Sequence, residues 1–160
     1  AYGNFVNRTL AFIEKYCDSV VPQGSNNLEL DNQIDSLYIA VGELIENGYF
    51  KDAINEIFDF IRNANKFFDT EQPWIMRNTN KNACDNTLYQ CVQIIANLAV
   101  LLSPFLPFSS EKVLKWLNLS NQWKRQHVES GYLLPEVEIL FHRIDKKVIE
   151  EETEKLKAIL

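Results

Sequence analysis

Leu88-Tyr89-Gln90-Cys91-Val92-Gln93-Ile94-Ile95-Ala96-Asn97-Leu98-Ala99-Val100-Leu101-Leu102, followed by Ser103-Pro104-Phe105-Leu106-Pro107, is the most continuously apolar segment of the sequence and sets its architecture. Leu88, Val92, Ile95, Leu98, Ala99 and Leu102 recur at helical spacing, and most residues between them are also apolar. A helix apolar over most of its circumference belongs at the centre of a bundle, surrounded by other helices. It is not a membrane span: the strongly apolar run from Ile94 to Phe108 is too short and is interrupted by Asn97, Ser103, Pro104 and Pro107. Pro104 and Pro107 should stop this helix, and Ser109 or Ser110 is expected to cap a short one carrying Val113, Leu114 and Leu117.

Upstream of this helix, Asn78 to Asn82 reads as a polar, basic connection. Before it, Phe50, Ile54, Ile57, Ile61, Ala64 and Phe68 alternate fours and threes down one helix, which Pro73 should end just before Trp74. Ile34, Leu37, Val41 and Leu44 mark another, with Asp31 as its expected cap and Gly48 beyond its end. The segment Val21 to Asn27 is a loop by composition. From Asn4 to Asp18, Phe5, Val6, Leu10, Phe12, Ile13, Tyr16 and Cys17 share one broad arc, while Asn4, Arg8, Ala11 and Lys15 fall opposite. Downstream, residues 118–140 look irregular. A charged last helix is expected at about 146–160, its sparse Ile149, Leu156 and Ile159 packing along a narrow stripe. The expected fold is therefore an all-α, antiparallel helical bundle, forming one domain over residues 1–160.

Composition agrees and excludes much else. With 160 residues, 46% of them hydrophobic, the chain can bury one substantial core, and five Gly with five Pro are too few to punctuate a sandwich or barrel. Cys17, Cys84 and Cys91 are an odd and sparse set, which argues against a disulfide scaffold and fits a reducing cytoplasm. His127 and His142 lie far from them, and neither CxxC nor HExxH spacing occurs, so no metal site is expected. The Glu150, Glu151, Glu152 and Glu154 run reads as a solvated helix face, and no catalytic residues are assigned. A net charge of −6 is not the usual footprint of a nucleic-acid binder. It does leave room for a small site that reads unpaired bases by stacking and hydrogen bonds. Starting at Ala1, with neither an initiator Met nor a secretory leader, the chain is expected to be a piece of a longer protein.

Several stretches resemble one family. Gly3-Asn4-Phe5-Val6-Asn7-Arg8-Thr9-Leu10-Ala11-Phe12-Ile13-Glu14-Lys15-Tyr16 resembles the first helix of the anticodon-binding domain of methionyl-tRNA synthetases. Ala64-Asn65-Lys66-Phe67-Phe68-Asp69-Thr70-Glu71-Gln72-Pro73-Trp74 is similar to that family's Ala-Asn pair, aromatics, acids and Pro-Trp, the most specific motif present. Leu101-Leu102-Ser103-Pro104-Phe105-Leu106-Pro107 matches a helix terminator of related class I synthetases. Leu140-Phe141-His142-Arg143-Ile144-Asp145 resembles the family's Leu-Phe-Pro-Arg-Ile-Asp. The chain departs from the family at His142, in place of Pro, and at Cys17-Asp18-Ser19, in place of the commoner Phe-Asp-Gly. The HIGH-like and KMSKS-like catalytic motifs are missing.

The resemblance implies that Asn4, Arg8 and Trp74 recognise the cytosine that opens a CAU anticodon. The residue types fit, since an unstacked base needs an aromatic platform plus donors and acceptors along its Watson–Crick edge, and residues at i and i+4 share a helix face. Without the resemblance, Asn4 and Arg8 would read as a solvated face and Trp74 as a core anchor. Lys66, Arg77 and Lys81 are candidate phosphate contacts; Phe60, Phe67 and Phe68 are expected in the core. The implied partners are the anticodon stem-loop of tRNA(Met) and the enzyme's own catalytic domain. The implied activity is that of the parent methionine–tRNA ligase, with ATP and Mg2+, and zinc in many members, all in the part not present here. No cofactor is expected in this stretch. Two rivals remain: the equivalent domain of an isoleucine, valine, leucine or cysteine enzyme, and a helical protein-interaction module.

Overall fold

The computed structural model describes residues 1–142 and 144–159. Seven helices follow in order: α1 (Tyr2–Tyr16), α2 (Leu28–Glu46), α3 (Phe50–Glu71), α4 (Pro73–Thr79), α5 (Lys81–Leu101), α6 (Pro107–Trp116) and α7 (Lys146–Ile159). Arg143, Leu160 and the side chains of Ala158 and Ile159 lie outside the described residues. The all-α bundle is observed, with α5 at its centre, packed by α1, α2, α3, α4 and α6. Every residue of α5 from Thr87 to Leu101 is buried, as an all-round apolar helix requires.

Buried Gln93 and Asn97 explain how an irregular segment of about twenty residues stays on this core. Gln93 accepts from the Val128 N–H at 3.0 Å and donates to its carbonyl at 2.9 Å. Asn97 accepts from the Gln126 N–H at 2.7 Å and donates to its carbonyl at 3.1 Å. Each amide thus satisfies itself by standing in for a strand neighbour, so neither is a buried orphan. The same segment pairs with the α1–α2 loop at Val20 and Leu133. Within that loop Gly24 lies against Tyr89 so closely that a Cβ would sit 2.3 Å from the ring, so any larger residue would force the ring or the loop to move.

Several boundaries differ from expectation, each for a local reason. The cap of α2 is Asn27, whose Oδ1 accepts from the Leu30 N–H at 3.1 Å. Asp31 lies inside the first turn and pairs with Arg125 at 2.5 Å. Helix α6 starts on Pro107 itself, which suits a first helical position, so Ser109 and Ser110 are internal and buried. The stretch Asn78 to Asn82 is mostly helical: α4 runs to Thr79, and Asn80 caps α5 by accepting from the Ala83 N–H at 3.1 Å. The expected packing stripe of α7 is not formed, for Ile149 and Leu156 are 54% and 60% exposed. Tyr16, placed on the core arc of α1, is instead 42% exposed. Among the described residues no helix is long and apolar enough to cross a membrane.

Candidate nucleic-acid interface

The surface shared by α1, α3 and α4 is built by one turn. Gln72 ends α3 in a left-handed conformation (φ 48, ψ 58), and its carbonyl accepts from Ile75 and Met76 as the chain turns directly into α4. Pro73, buried at the first position of α4, has a fixed φ suited to starting a helix. Its carbonyl accepts from the buried Cys84 thiol at 3.4 Å, tying the turn to α5. Trp74 follows and so stands at the surface, 40% exposed, with its ring centroid 6.1 Å from that of buried Phe68. It is neither a sealed core anchor nor a free side chain; part of the ring is open to solvent while Phe68 supports it.

Arg8 reaches the same place from α1. Its guanidinium carbon lies 4.6 Å from the Phe68 ring centroid and 5.9 Å from that of Trp74. One Nη2 donates to Asp69 Oδ1 at 2.6 Å. A cation over aromatic rings and beside a carboxylate is held in a defined plane, and a guanidinium has more donors than this one bond uses. One turn earlier, Asn4 donates through Nδ2 to Asn65 Oδ1 at 3.2 Å. Asn65 itself donates to the Ile61 carbonyl at 2.9 Å, which orients its amide so that Oδ1 faces Asn4. The two cross-helix pairs have the same sequence offset of 61, so α1 and α3 run in the same direction.

The structure therefore brings Arg8 and Trp74 together, with Asn4 a turn away on the same helix. Of the basic candidates, Arg77 lies on the Tyr16 ring, 4.0 Å from its centroid, and Lys81 pairs with Asp85 at 2.5 Å. Lys66 is exposed on α3, next to Asn65. Asn65, Phe68 and Asp69 shape the site but carried no individual signal beyond the motif that contains them. They meet α1 only through folding, and Phe68 is a core residue that also supports Arg8 from beneath. The three thiols are free, and burial raises them: Cys17 is pushed up to about 11 and Cys91 also lies above the ordinary thiol range.

The comparisons fall on the same ground. The family described as "Anticodon-binding domain of tRNA ligase" matches residues 27–160. A methionine–tRNA ligase of Bacillus cereus (strain G9842) is 53% identical over 157 residues, covering 98% of this chain and 29% of the relative. Another, from Bacillus mycoides (strain KBAB4), is 51% identical over the same 98% and 29%. The chain thus spans about 29% of the length of the curated relatives it matches. Among solved structures, the free-state methionyl-tRNA synthetase of Mycobacterium tuberculosis superimposes with a TM-score of 0.79 at 25% identity, covering 89% of this chain and 31% of that one. The same enzyme bound by methionyl-adenylate matches with a TM-score of 0.79 at 24% identity, over 88% of this chain and 30% of that one, which speaks for the fold.

Proposed function

The chain belongs to the anticodon-binding domains of the tRNA ligases, and from that premise we propose that residues 1–160 form the domain of a methionine–tRNA ligase that reads the CAU anticodon of tRNA(Met). The observation that carries the reading is the Arg8–Trp74 pair: a partly exposed indole with a guanidinium 5.9 Å away. An unstacked cytosine laid on Trp74 gains about 1–3 kcal/mol from stacking. Its N3 and O2 are acceptors, which suit the remaining N–H groups of Arg8, and its amine is a donor, which suits Asn4 Oδ1. That Asn4 oxygen is the complementary end, because the amide nitrogen is turned toward Asn65. Uracil presents the opposite polarity at two positions, so donors and acceptors would face their like, at about 1–3 kcal/mol for each buried unmatched group.

Lys66, Arg77 and Lys81 then contact loop phosphates, which position the RNA without selecting its sequence. With a net charge of −6, few such contacts are available, so the domain depends on its base-reading site more than on bulk attraction. Aminoacylation, with its ATP and Mg2+ and any zinc, belongs to the catalytic part of the parent enzyme, which this domain joins in the cytoplasm. Identity of about half over nearly the whole chain to methionine–tRNA ligases supports methionine over the isoleucine, valine, leucine and cysteine alternatives. Competition decides among them: stem-loops carrying the anticodons of those four amino acids should not displace a labelled CAU loop. Displacement by any of them at equal concentration would move the domain to another enzyme of the class, and failure of the CAU loop to bind at all would favour a protein-interaction module.

A further inference from the structure

At the far end of α1 a second cation–aromatic arrangement faces solvent, with the roles of the two helices reversed. In the first, α1 supplies the cation, Arg8, and α4 the aromatic, Trp74. In the second, α1 supplies Tyr16 and α4 supplies Arg77, its guanidinium carbon 4.0 Å from the ring centroid. Trp74 and Arg77 stand three residues apart and so share a face of α4. Arg8 and Tyr16 are eight residues apart, about 12 Å along α1 at its rise per residue.

The second arrangement holds two cations on one ring. The Lys15 ammonium lies 5.1 Å from the same Tyr16 ring, and Phe12 braces the ring from behind at 4.6 Å between centroids. Lys81 is paired with Asp85 at 2.5 Å and so does not join the two cations. Among the described residues Arg77 is the arginine without a carboxylate partner, whereas Arg8, Arg62 and Arg125 each have one; Lys15, like several other lysines, also has none. Two unpaired cations drawn to one exposed ring repel each other, and an anion between them would relieve that repulsion. Hydrogen bonding from Lys15, with the charge of Arg77 adding to it, also holds the Tyr16 phenol below its ordinary range.

Resting on the anticodon reading above, we infer that Tyr16 presets Arg77 and Lys15 as a clamp for the phosphodiester of a nucleotide flanking the base held at Trp74. Tyr16 is a positioning residue: its ring holds the guanidinium in plane, so that the Arg77 fork needs little ordering when a phosphate arrives. The anion is RNA backbone, because the clamp shares α1 and α4 with the base site and lies one short span from it.

The test is titration of this chain with a stem-loop RNA bearing CAU, and with its UAU counterpart, across a range of salt. Arg77→Ala should weaken both loops by the same factor and reduce the slope of log affinity against log salt by about 0.7, the loss of one single-strand phosphate contact. Tyr16→Ala should move both readouts in the same direction, and Tyr16→Phe should move them by a smaller step, since it keeps the ring on which Arg77 lies and loses only the hydroxyl bonded by Lys15. The ratio between CAU and UAU should stay at the wild-type value in all three. In a loop whose flanking phosphate is replaced by a neutral methylphosphonate, Arg77→Ala should have no further effect. Wild-type affinity and slope in Tyr16→Ala and Arg77→Ala, with the CAU preference intact, would overturn the clamp and leave the base reading standing. Absence of any CAU preference in the wild type, with both slopes still reduced, would instead overturn the base reading. Circular dichroism melting of each variant confirms that the exposed substitutions leave the fold unchanged.

Discussion

Arg8 has two groups competing to orient it: the Asp69 carboxylate at 2.6 Å and the Phe68 face at 4.6 Å. The pair with Asp69 is half-buried on the Arg8 side and exposed on the Asp69 side, so it adds little to stability, of order 0–1 kcal/mol. What it supplies is direction. Arg8→Lys keeps the charge but loses the planar fork, so it should lower affinity for the CAU loop nearly as much as Arg8→Ala, with the melting temperature almost unchanged. Wild-type binding by the lysine variant in a titration would reduce Arg8 to a counter-charge. Trp74, at 40% exposure, should behave as a platform: Trp74→Ala should cost well below the about 3–5 kcal/mol of a buried tryptophan, and binding should rank Trp, then Phe, then Ala. A large fall in the denaturation midpoint, with binding retained, would return it to the core. Ser19 tests a departure from the family pattern. It stands where the family commonly has Gly, and its φ is 59, a left-handed conformation that costs an L-residue about 1–2 kcal/mol. Ser19→Gly should therefore raise unfolding stability by about 1 kcal/mol in a denaturant melt.

At the scale of elements, what could be read beforehand depended on whether a signal was local. Helix α5 was legible because all its sides are apolar, and α3 because fours and threes alternate over its whole length. Helix α4 was hidden, since a Pro after a helix reads as a stop, and the turn that restarts the chain uses Gln72 in place of a Gly that would have marked it. Caps differ from expectation at two starts: in α2 the hydrogen bond to Leu30 selects Asn27 over Asp31, and α6 begins at Pro107 with no side-chain cap, which leaves Ser109 and Ser110 inside it. The contrast is measurable for α2. Asn27→Ala should destabilise the fold by about 1 kcal/mol through loss of the cap, whereas Asp31→Ala loses only a surface ion pair and should cost less. Equal losses in urea titration would mean that Asp31 shares the capping role. For the site, Arg8 and Trp74 were legible as motif members. The contacts of Asn65 and Asp69 with α1 were not, because they join residues 61 positions apart.

For the whole molecule, an acidic chain that binds RNA is reasonable only if its positive groups are local. Three cations of α7 pair with its own acids, Lys147 with Glu151, Lys155 with Glu152 and Lys157 with Glu154, and so offer RNA little. Two without a carboxylate partner, Lys15 and Arg77, lie on exposed Tyr16 at the α1–α4 surface. On the proposed reading, discrimination comes from mismatched polar groups and not from total attraction, so selectivity should persist when salt has weakened affinity. The most direct measurement is the dissociation constant of the unmodified chain for two stem-loops that differ only in the first anticodon base, CAU and UAU, at fixed low salt. The account predicts that UAU binds at least about tenfold more weakly, the equivalent of one unmatched polar group of about 1.4 kcal/mol. Equal affinity for the two loops would contradict it.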